Sequence, residues 1–385
     1  MAEFLELVET IKAEDSTAQK MFAGDGISAK RAQSLSNYKQ RFSEALKFVA
    51  DIYSGKKHPS KFMEAMTTDD FPLLFGDILD RQLLANYQEY PGSFRNFCRI
   101  ATVSDFRTVK RFKVEGSEGV LSVVEEQAEY PETSLTEGEF TYSVRKYGRR
   151  IPFAWETMVN DDLDALKDIP ARLGRAARRT EQKFATELYV DSSGPHGSFY
   201  TGGNNNVVTG DPALSIAALQ TAMIDLAAQT DSDGEPIFID AIHLVVPPAL
   251  EITAQNILNS TELRLNESGG ASNQQLIVNN WMRNRVKLSV DPYIPIVASS
   301  SNGNTSWFLF ADPSNNRPAL EIGFLRGHIT PEIFIKAPNA QAVGGGQINP
   351  MMGDFDTDSI QYKVRHIVGG VRLDPKMTVA SDGTP

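Results

Sequence analysis

The chain has 385 residues, 41% of them hydrophobic, so it is long enough to bury a core without covalent cross-links. Its single cysteine, Cys98, excludes an intrachain disulfide and a CxxC-type redox or zinc site. The formal net charge of -11, from 49 acidic and 38 basic side chains, has the wrong sign for bulk binding of DNA, and no apolar run is long enough to span a membrane.

Residues 1–66 predict an N-terminal arm of helical segments. One apolar stripe runs along it with the spacing of a helix, formed by Phe42, Leu46, Val49 and Tyr53. A stripe of this kind must be covered, either by the rest of the same domain or by a neighbouring subunit, and the pattern leaves both alternatives open. The next helix is predicted from Thr68, with Leu83 and Tyr87 on its buried face, and it ends at Pro91.

Residues 105–150 predict a long β-hairpin, because apolar and polar residues alternate around Phe112 and again around Tyr142. The intervening stretch, 115–139, contains no lysine or arginine. It holds eight glutamates: Glu115, Glu118, Glu125, Glu126, Glu129, Glu132, Glu137 and Glu139. The base of the hairpin is basic on both sides. A connection this long inside a compact domain is usually functional.

The charge segregation predicts contacts between copies of the chain. Tip and base of one extended hairpin lie tens of ångströms apart, beyond a Debye length of about 8 Å, so they do not neutralise each other. The hypothesis places the following residues at an intersubunit contact: Glu125, Glu126, Glu129 and Glu132 on the tip, and Arg145, Lys146, Arg149 and Arg150 at the base. A solvated loop with accidental charge segregation is the alternative.

A long helix, called the spine helix, is predicted after the hairpin, with an acidic first turn near Asp168 and a proline, Pro170, near its start. Its apolar stripe is Leu166, Leu173, Ala177, Phe184 and Leu188, and four arginines lie off the stripe: Arg172, Arg175, Arg178 and Arg179.

The sequence of residues 208–345 predicts a mixed module of short strands and helices. Its strands are predicted at 243–246, 307–310, 319–325 and 332–335, and a helix is predicted at 249–258. A last strand is predicted around Tyr362.

Several stretches together resemble the tailed-bacteriophage major capsid protein of the Hong Kong 97 type. They are Lys146-Tyr147-Gly148 with Ile151 to Phe153 and Asn160-Asp161-Asp162, then Gly327 to Pro331, then Asp358 to Gly370 with Leu373-Asp374-Pro375, and Thr68 to Tyr87. The resemblance implies an α+β fold with an arm, an extended β-hairpin loop, a peripheral domain with a long spine helix, and an inserted axial α/β domain. The implied domains are 1–66 (arm), 67–104 and 151–207 (peripheral), 105–150 (loop), 208–345 (axial) and 346–385 (returning strand of the peripheral domain).

The same resemblance implies a structural protein, not an enzyme, that self-assembles into hexamers and pentamers of an icosahedral shell around double-stranded DNA. It implies a virion location, assembly in the host cytoplasm, a portal and possible scaffold or decoration proteins as partners, and no sequence-specific DNA binding or membrane contact. Two alternatives stay open: an encapsulin-like shell enclosing cargo enzymes, and a cytosolic α/β enzyme with its site in 208–345.

No catalytic, cofactor or metal site is predicted. The sequence has no nucleotide-binding fingerprint, and its five histidines are scattered. The run Asp354, Asp356, Asp358 resembles the start of a calcium loop, but Ser359 and Arg365 replace the glycine and glutamate that such a loop needs. Since 115–139 holds no lysine, we also expect no isopeptide cross-link from the hairpin, a bond that some capsids of this type form between a loop lysine and an asparagine.

Overall fold

The structure is a computed structural model. It describes residues 44, 45, 47, 48, 51, 56, 83–88, 92–115, 120, 121, 123, 124, 126, 129, 130, 136–154, 163–237, 239, 242–260, 262–266, 275–283, 285–314, 317–336, 339 and 354–384. Most of the predicted arm, 1–66, therefore lies outside the described residues.

The described residues include fifteen strands, the helical residues 83–88 and four further α-helices. The helices are α1 (Leu163–Tyr189), α2 (Ile216–Ala227), α3 (Glu251–Asn259) and α4 (Ile294–Val297). The strands are β1 (Arg99–Val103), β2 (Val109–Glu115), β3 (Thr136–Tyr142), β4 (Arg145–Ala154), β5 (Val190–Asp191), β6 (Gly194–Pro195), β7 (Ile242–Val246), β8 (Glu262–Asn266), β9 (Gln275–Asn279), β10 (Val286–Val290), β11 (Trp307–Ala311), β12 (Leu320–Leu325), β13 (Glu332–Ile335), β14 (Ser359–Arg372) and β15 (Thr378–Ser381).

The chain divides into two compact units. The first comprises Met1–Pro91, Lys146–Arg178 and Arg326–Ile367, and the second Gly92–Arg145, Arg179–Leu325 and Val368–Pro385. These units do not follow the predicted boundaries at 207/208 and 345/346, so the division into peripheral and axial domains stays a prediction.

In the first unit, the spine helix packs closely on the helical residues 83–88. A Cβ atom at Gly174 would lie 2.6 Å from the Leu83 carbonyl oxygen, so a glycine is needed at this crossing. Arg178 was expected on the polar side of the helix, yet it is buried. Its guanidinium lies 4.4 Å from the centre of the Tyr87 ring and donates a hydrogen bond to the Tyr87 hydroxyl at 3.3 Å. Stacking on an aromatic ring offsets part of the cost of burying this cation.

The first unit also contains an antiparallel pair of strands. Strand β13 pairs with the first part of β14, from Glu332 opposite Arg365 to Ile335 opposite Tyr362. Strand β4 also pairs with β14. At Gly148 the two backbones approach so closely that an added Cβ atom would lie 2.7 Å from the Val364 carbonyl oxygen. The glycine of the Lys146-Tyr147-Gly148 motif is thus a packing requirement.

The core of the second unit is a four-stranded sheet in the order β10-β7-β11-β15. Every residue of β7, β11 and β15 is buried. Trp307 is fully buried on β11, and its indole N–H donates to the Pro212 carbonyl at 3.0 Å. Helices α2 and α3 contribute Leu219 and Ala254 to the same hydrophobic cluster. A sheet with its central strands buried on both faces explains the continuous apolar runs in the sequence.

A second sheet of this unit carries the hairpin. Strand β1 runs parallel to β12, and β12 pairs antiparallel with the last part of β14, from Leu320 opposite Arg372 to Phe324 opposite Val368. The predicted strands at 243–246, 307–310, 319–325 and 332–335 and the helix at 249–258 agree with β7, β11, β12, β13 and α3. The spine helix begins earlier than predicted, so Pro170 lies inside it, where it removes one main-chain donor.

Candidate functional site

The predicted hairpin is present, and we call residues 109–142 the ribbon. Its two strands, β2 and β3, are antiparallel, with Val109 opposite Tyr142 and Glu115 opposite Thr136. Seven paired residues at ~3.3 Å each make the two strands about 20 Å long. The base of the ribbon and the outer end of its strands therefore lie far apart.

The two faces of β2 have different surroundings. Lys110 and Phe112 point outward and are largely exposed, whereas Arg111 and Lys113 point towards the body of the subunit. Lys113 Nζ lies 3.0 Å from Oδ2 of Asp374, whose side chain is only 4% exposed. Lys113 is thus neutralised within its own subunit.

The other inward-facing cation meets a buried carboxylate. The Arg111 Nε–H and the Tyr142 hydroxyl both donate to Oε1 of Glu321, each at 2.7 Å. Glu321 itself is fully buried on β12. Its second oxygen, Oε2, lies 3.8 Å from Arg99 Nε and accepts no hydrogen bond from any described residue. The carboxylate therefore joins β1, β2 and β3 at one point.

The electrostatics of this cluster follow from burial and from the Glu321 charge. Burial raises the pKa of the Tyr142 hydroxyl to about 12, and the hydrogen bond to Glu321 adds to the effect. Burial alone would lower the pKa of Arg111, but the hydrogen bond and charge of Glu321 outweigh it and raise that pKa. Both groups therefore stay protonated and donate to the carboxylate at any ordinary pH.

Two glycines let the base of the ribbon lie directly on the sheet. Gly323 and Gly369 face each other in the β12–β14 register. A Cβ atom at Gly323 would lie 2.7 Å from the Tyr142 ring, and one at Gly369 would lie 2.6 Å from the Ser143 carbonyl oxygen. We call Arg111, Tyr142, Glu321, Gly323 and Gly369 together the ribbon root.

The outer part of the ribbon is exposed and partly apolar. The exposed fractions are 81% for Val120, 92% for Leu121, 96% for Val123 and 82% for Tyr130. Of the four predicted acidic contact residues, Glu126 and Glu129 are exposed, and Glu125 and Glu132 lie outside the described residues. Exposed apolar side chains next to carboxylates are typical of a surface that binds another protein.

The four predicted basic contact residues are not part of the hairpin. Arg145, Lys146, Arg149 and Arg150 lie on β4, the strand that follows it, and all four are exposed. Arg150 donates to the Gln361 side chain at 3.4 Å. Within the part of the chain that the structure describes, no carboxylate pairs with any of the four.

A second buried carboxylate, Asp291, lies below the C-terminal end of the spine helix. It accepts hydrogen bonds from the hydroxyls of Thr186 at 2.6 Å and Tyr189 at 2.5 Å and from the Tyr293 N–H at 2.9 Å. Desolvation raises the pKa of Asp291 despite these donors. This network ties the spine helix to the end of β10 and is closed to solvent, which suits a structural role.

Over the described ranges, no three His, Cys, Asp or Glu side chains are grouped so as to hold a metal ion. Asp354 of the calcium-loop resemblance instead binds Lys336 Nζ at 2.6 Å. None of the described helices combines the length and the apolar composition needed to cross a membrane.

The second strand of the ribbon, the spine helix and all strands of the two sheets except β1 lie in the range that decides the family. The family model described as phage capsid protein matches residues 137–381, which is more than half of the chain. The chain belongs to the phage capsid protein family. A capsid protein is a structural protein of the virion, so the predicted family and the structural role are confirmed. The mixture of helices and strands described above confirms the α+β class. The match does not favour the encapsulin-like alternative.

Several solved structures are similar to this capsid protein at low identity. The capsid structure of the cyanophage P-SCSP1u is 12% identical, with a TM-score of 0.44, over 74% of this chain and 86% of that chain. A structure from Mycobacterium phage Adephagia is 11% identical, with a TM-score of 0.44, over 77% and 92%. A structure from Gordonia phage Cozz is 13% identical, with a TM-score of 0.43, over 75% and 85%. Similarity at this level assigns no residue roles. No curated protein matches the capsid protein in sequence.

Sequence reasoning missed the ribbon root of the capsid protein. Glu321 is a single charged residue inside the apolar run from Leu320 to Leu325, and such a residue in a buried strand must have a partner. That signal could have identified Glu321 as important. It could not have identified Arg111, which lies 210 residues away in the chain.

Proposed function

We propose that the chain is the major capsid protein of a tailed phage, which forms hexamers and pentamers of an icosahedral shell around double-stranded DNA. Family membership supports a capsid subunit. The exposed apolar residues at the outer end of the ribbon carry the proposal further, because they sit on an element that is firmly anchored at its other end. A neighbouring subunit is the surface that would cover them.

The proposed partners follow from the same assignment. The shell encloses DNA without reading its sequence, has a portal at one vertex, and takes scaffold or decoration proteins where the phage encodes them. The net charge of -11 is compatible with a wall that does not retain the DNA it contains. The protein is made and assembled in the host cytoplasm and has a structural rather than a catalytic role.

At the subunit contact, the glutamates Glu125, Glu126, Glu129 and Glu132 pair with the cations of β4 in another copy. Those cations are Arg145, Lys146, Arg149 and Arg150. Their exposure leaves them accessible to a neighbour. Each exposed pair contributes only ~0–1 kcal/mol, so only the set repeated over many copies is effective.

A charge-swap experiment tests this contact. Changing the four β4 cations to glutamate is expected to leave a folded subunit that does not form closed particles, because like charges then face each other. Changing the four tip glutamates to lysine in the same chain restores opposite charges and should restore particles. Electron microscopy of each purified variant gives the readout, and circular dichroism confirms the fold.

Closed particles from the β4 variant alone would contradict the charge contact but not the shell. A wild-type protein that stays monomeric and never forms particles would contradict the proposed function itself. Particles filled with an enzyme and lacking DNA would favour the encapsulin-like alternative.

A further inference from the structure

The Glu321 carboxylate occupies a position where a hydrocarbon side chain would be expected. Its neighbours on β12, Leu320 and Ile322, are fully buried, and so is Glu321. Burying a carboxylate costs several kcal/mol per ion, and a well-packed apolar residue is often equally or more stable in such a place. Stability alone therefore does not explain this residue, whereas a requirement for a defined geometry does.

The geometry that Glu321 defines is the attachment of the ribbon. It contacts Arg111 on β2 and Tyr142 on β3, so both strands of the ribbon are held by one oxygen atom, Oε1. The planar guanidinium of Arg111 and the ring of Tyr142 permit little rotation at such short distances. The Tyr142 ring also lies against Gly323, which blocks movement towards the sheet.

A second attachment lies two residues further along the same face of β2. Lys113 binds Asp374, which is buried and whose other oxygen accepts from the Lys376 main-chain N–H at 3.1 Å. Residues i and i+2 of a strand are about 6.6 Å apart, so Glu321 and Asp374 hold β2 at two separate points. One point would leave the ribbon free to swing, whereas two points define its direction.

We propose that Glu321 and Asp374 are positioning residues that aim the ribbon at the neighbouring subunit, an inference that rests on the proposed shell function. The ribbon strands are about 20 Å long, so a swing of roughly 10° at the root displaces their outer end by about 3–4 Å. Such a displacement separates contacting side chains. Holding the ribbon in one direction before assembly also lowers the entropy lost when the tip docks.

The test compares two buried carboxylates that hold the ribbon with an exposed ion pair on the ribbon itself. The test variant is Glu321→Gln with Asp374→Asn, which keeps side-chain size and removes both buried charges. The matched control is Lys110→Gln with Glu139→Gln, which removes an ion pair of 3.0 Å on the exposed face. The control also removes two charged groups, one cation and one anion of the ribbon itself, but leaves the ribbon root intact.

The direction of the ribbon is measured on the unassembled subunit. Spin labels are placed at Leu121→Cys and Ile252→Cys, both exposed, while the native Cys98 is buried and does not compete for label. Double electron–electron resonance spectroscopy then gives the distribution of distances between the two labels. We expect the distribution to become roughly twofold broader in the test variant and to stay unchanged in the control, with particle yield lowered about tenfold in the test variant only.

The outcomes separate this inference from the proposed function. An unchanged distribution in the test variant overturns the inference, and so does a broader distribution combined with normal particles. Failure of the wild type to form particles contradicts the proposed function. The distance measurement needs no assembly, so even then it shows whether Glu321 and Asp374 hold the ribbon in one direction. If the test variant does not fold, Tyr142→Phe removes one contact to Glu321 and gives the same two readouts.

Discussion

Replacing Gly369 by alanine is expected to destabilise the subunit, because the base of the ribbon lies directly on this residue. The added Cβ atom would lie 2.6 Å from the Ser143 carbonyl oxygen and 2.8 Å from the Val144 Cα. Both are backbone atoms, so no side chain can rotate away to make room. Gly138 provides the matched control, since a Cβ atom there would lie 3.6 Å from the Lys113 Cβ, an ordinary contact.

The two substitutions are expected to change the free energy of unfolding in different directions. Overpacking of one methyl group costs ~1–3 kcal/mol, and obstruction by backbone favours the upper part of this range. Alanine in place of glycine in a strand regains ~0.5–1 kcal/mol. Gly369→Ala should therefore lower the free energy of unfolding by about 2 kcal/mol, or about 2–3 °C in Tm for a chain of this size. Gly138→Ala, which meets no obstruction, should raise the free energy by ~0.5 kcal/mol or leave it unchanged.

Urea unfolding of the unassembled subunit, followed by tryptophan fluorescence, measures both values. The slope of the free energy against urea should be the same for wild type and variants, so that a shifted midpoint reports stability alone. Equal midpoints for Gly369→Ala and Gly138→Ala would refute the reasoning. That result would mean that the base of the ribbon does not press on the sheet at Gly369.

Two further predictions concern the core and the ribbon. Because the folded pKa of Asp291 is raised by burial, its contribution to stability is present below its ordinary pKa of about 4 and is lost as the pH rises through the folded pKa. The Tm of wild type relative to Asp291→Asn should therefore fall as the pH rises from 4 in a series of melts, and a constant difference would count against burial as the cause. Because residues 115–139 contain no lysine, assembled particles should run as a single monomer band on a denaturing gel. A ladder of covalent oligomers would contradict this prediction.

The periodic elements could be predicted from the sequence, because their signals are local. The alternation around Phe112 and Tyr142 predicted the two strands of the ribbon, and the stripe containing Leu173 and Ala177 predicted the spine helix. It was harder to predict which face of a strand is buried. Alternation alone favours Phe112 on the buried side of β2, whereas the structure buries the Arg111 side and leaves Phe112 64% exposed.

The burial of the Arg111 side of β2 in place of the Phe112 side has a physical cause that the local sequence pattern does not show. Leaving the buried Glu321 carboxylate without its cation would cost about 3–5 kcal/mol, more than the ~1.5–3 kcal/mol gained by burying a phenylalanine, so Glu321 favours the Arg111 face of β2 on the inside. Arg178 shows the same effect on the spine helix, where Tyr87 stabilises it in a buried position. In both cases the deciding partner is distant in the sequence, and the contact becomes visible only when the chain is folded.

The charges near the ribbon therefore fall into two groups with different consequences. Those at the root or next to it, Glu321 and Asp374, are buried and paired, so breaking either pair is strongly destabilising and the direction of the ribbon is well defined. Those on β4 are exposed, and each contributes little because water and salt screen it. A shell must close without trapping misplaced subunits, which requires contacts weak enough to break and re-form. A rigid root combined with weak outer contacts meets both needs, since precision comes from the subunit itself and the contact strength can stay low.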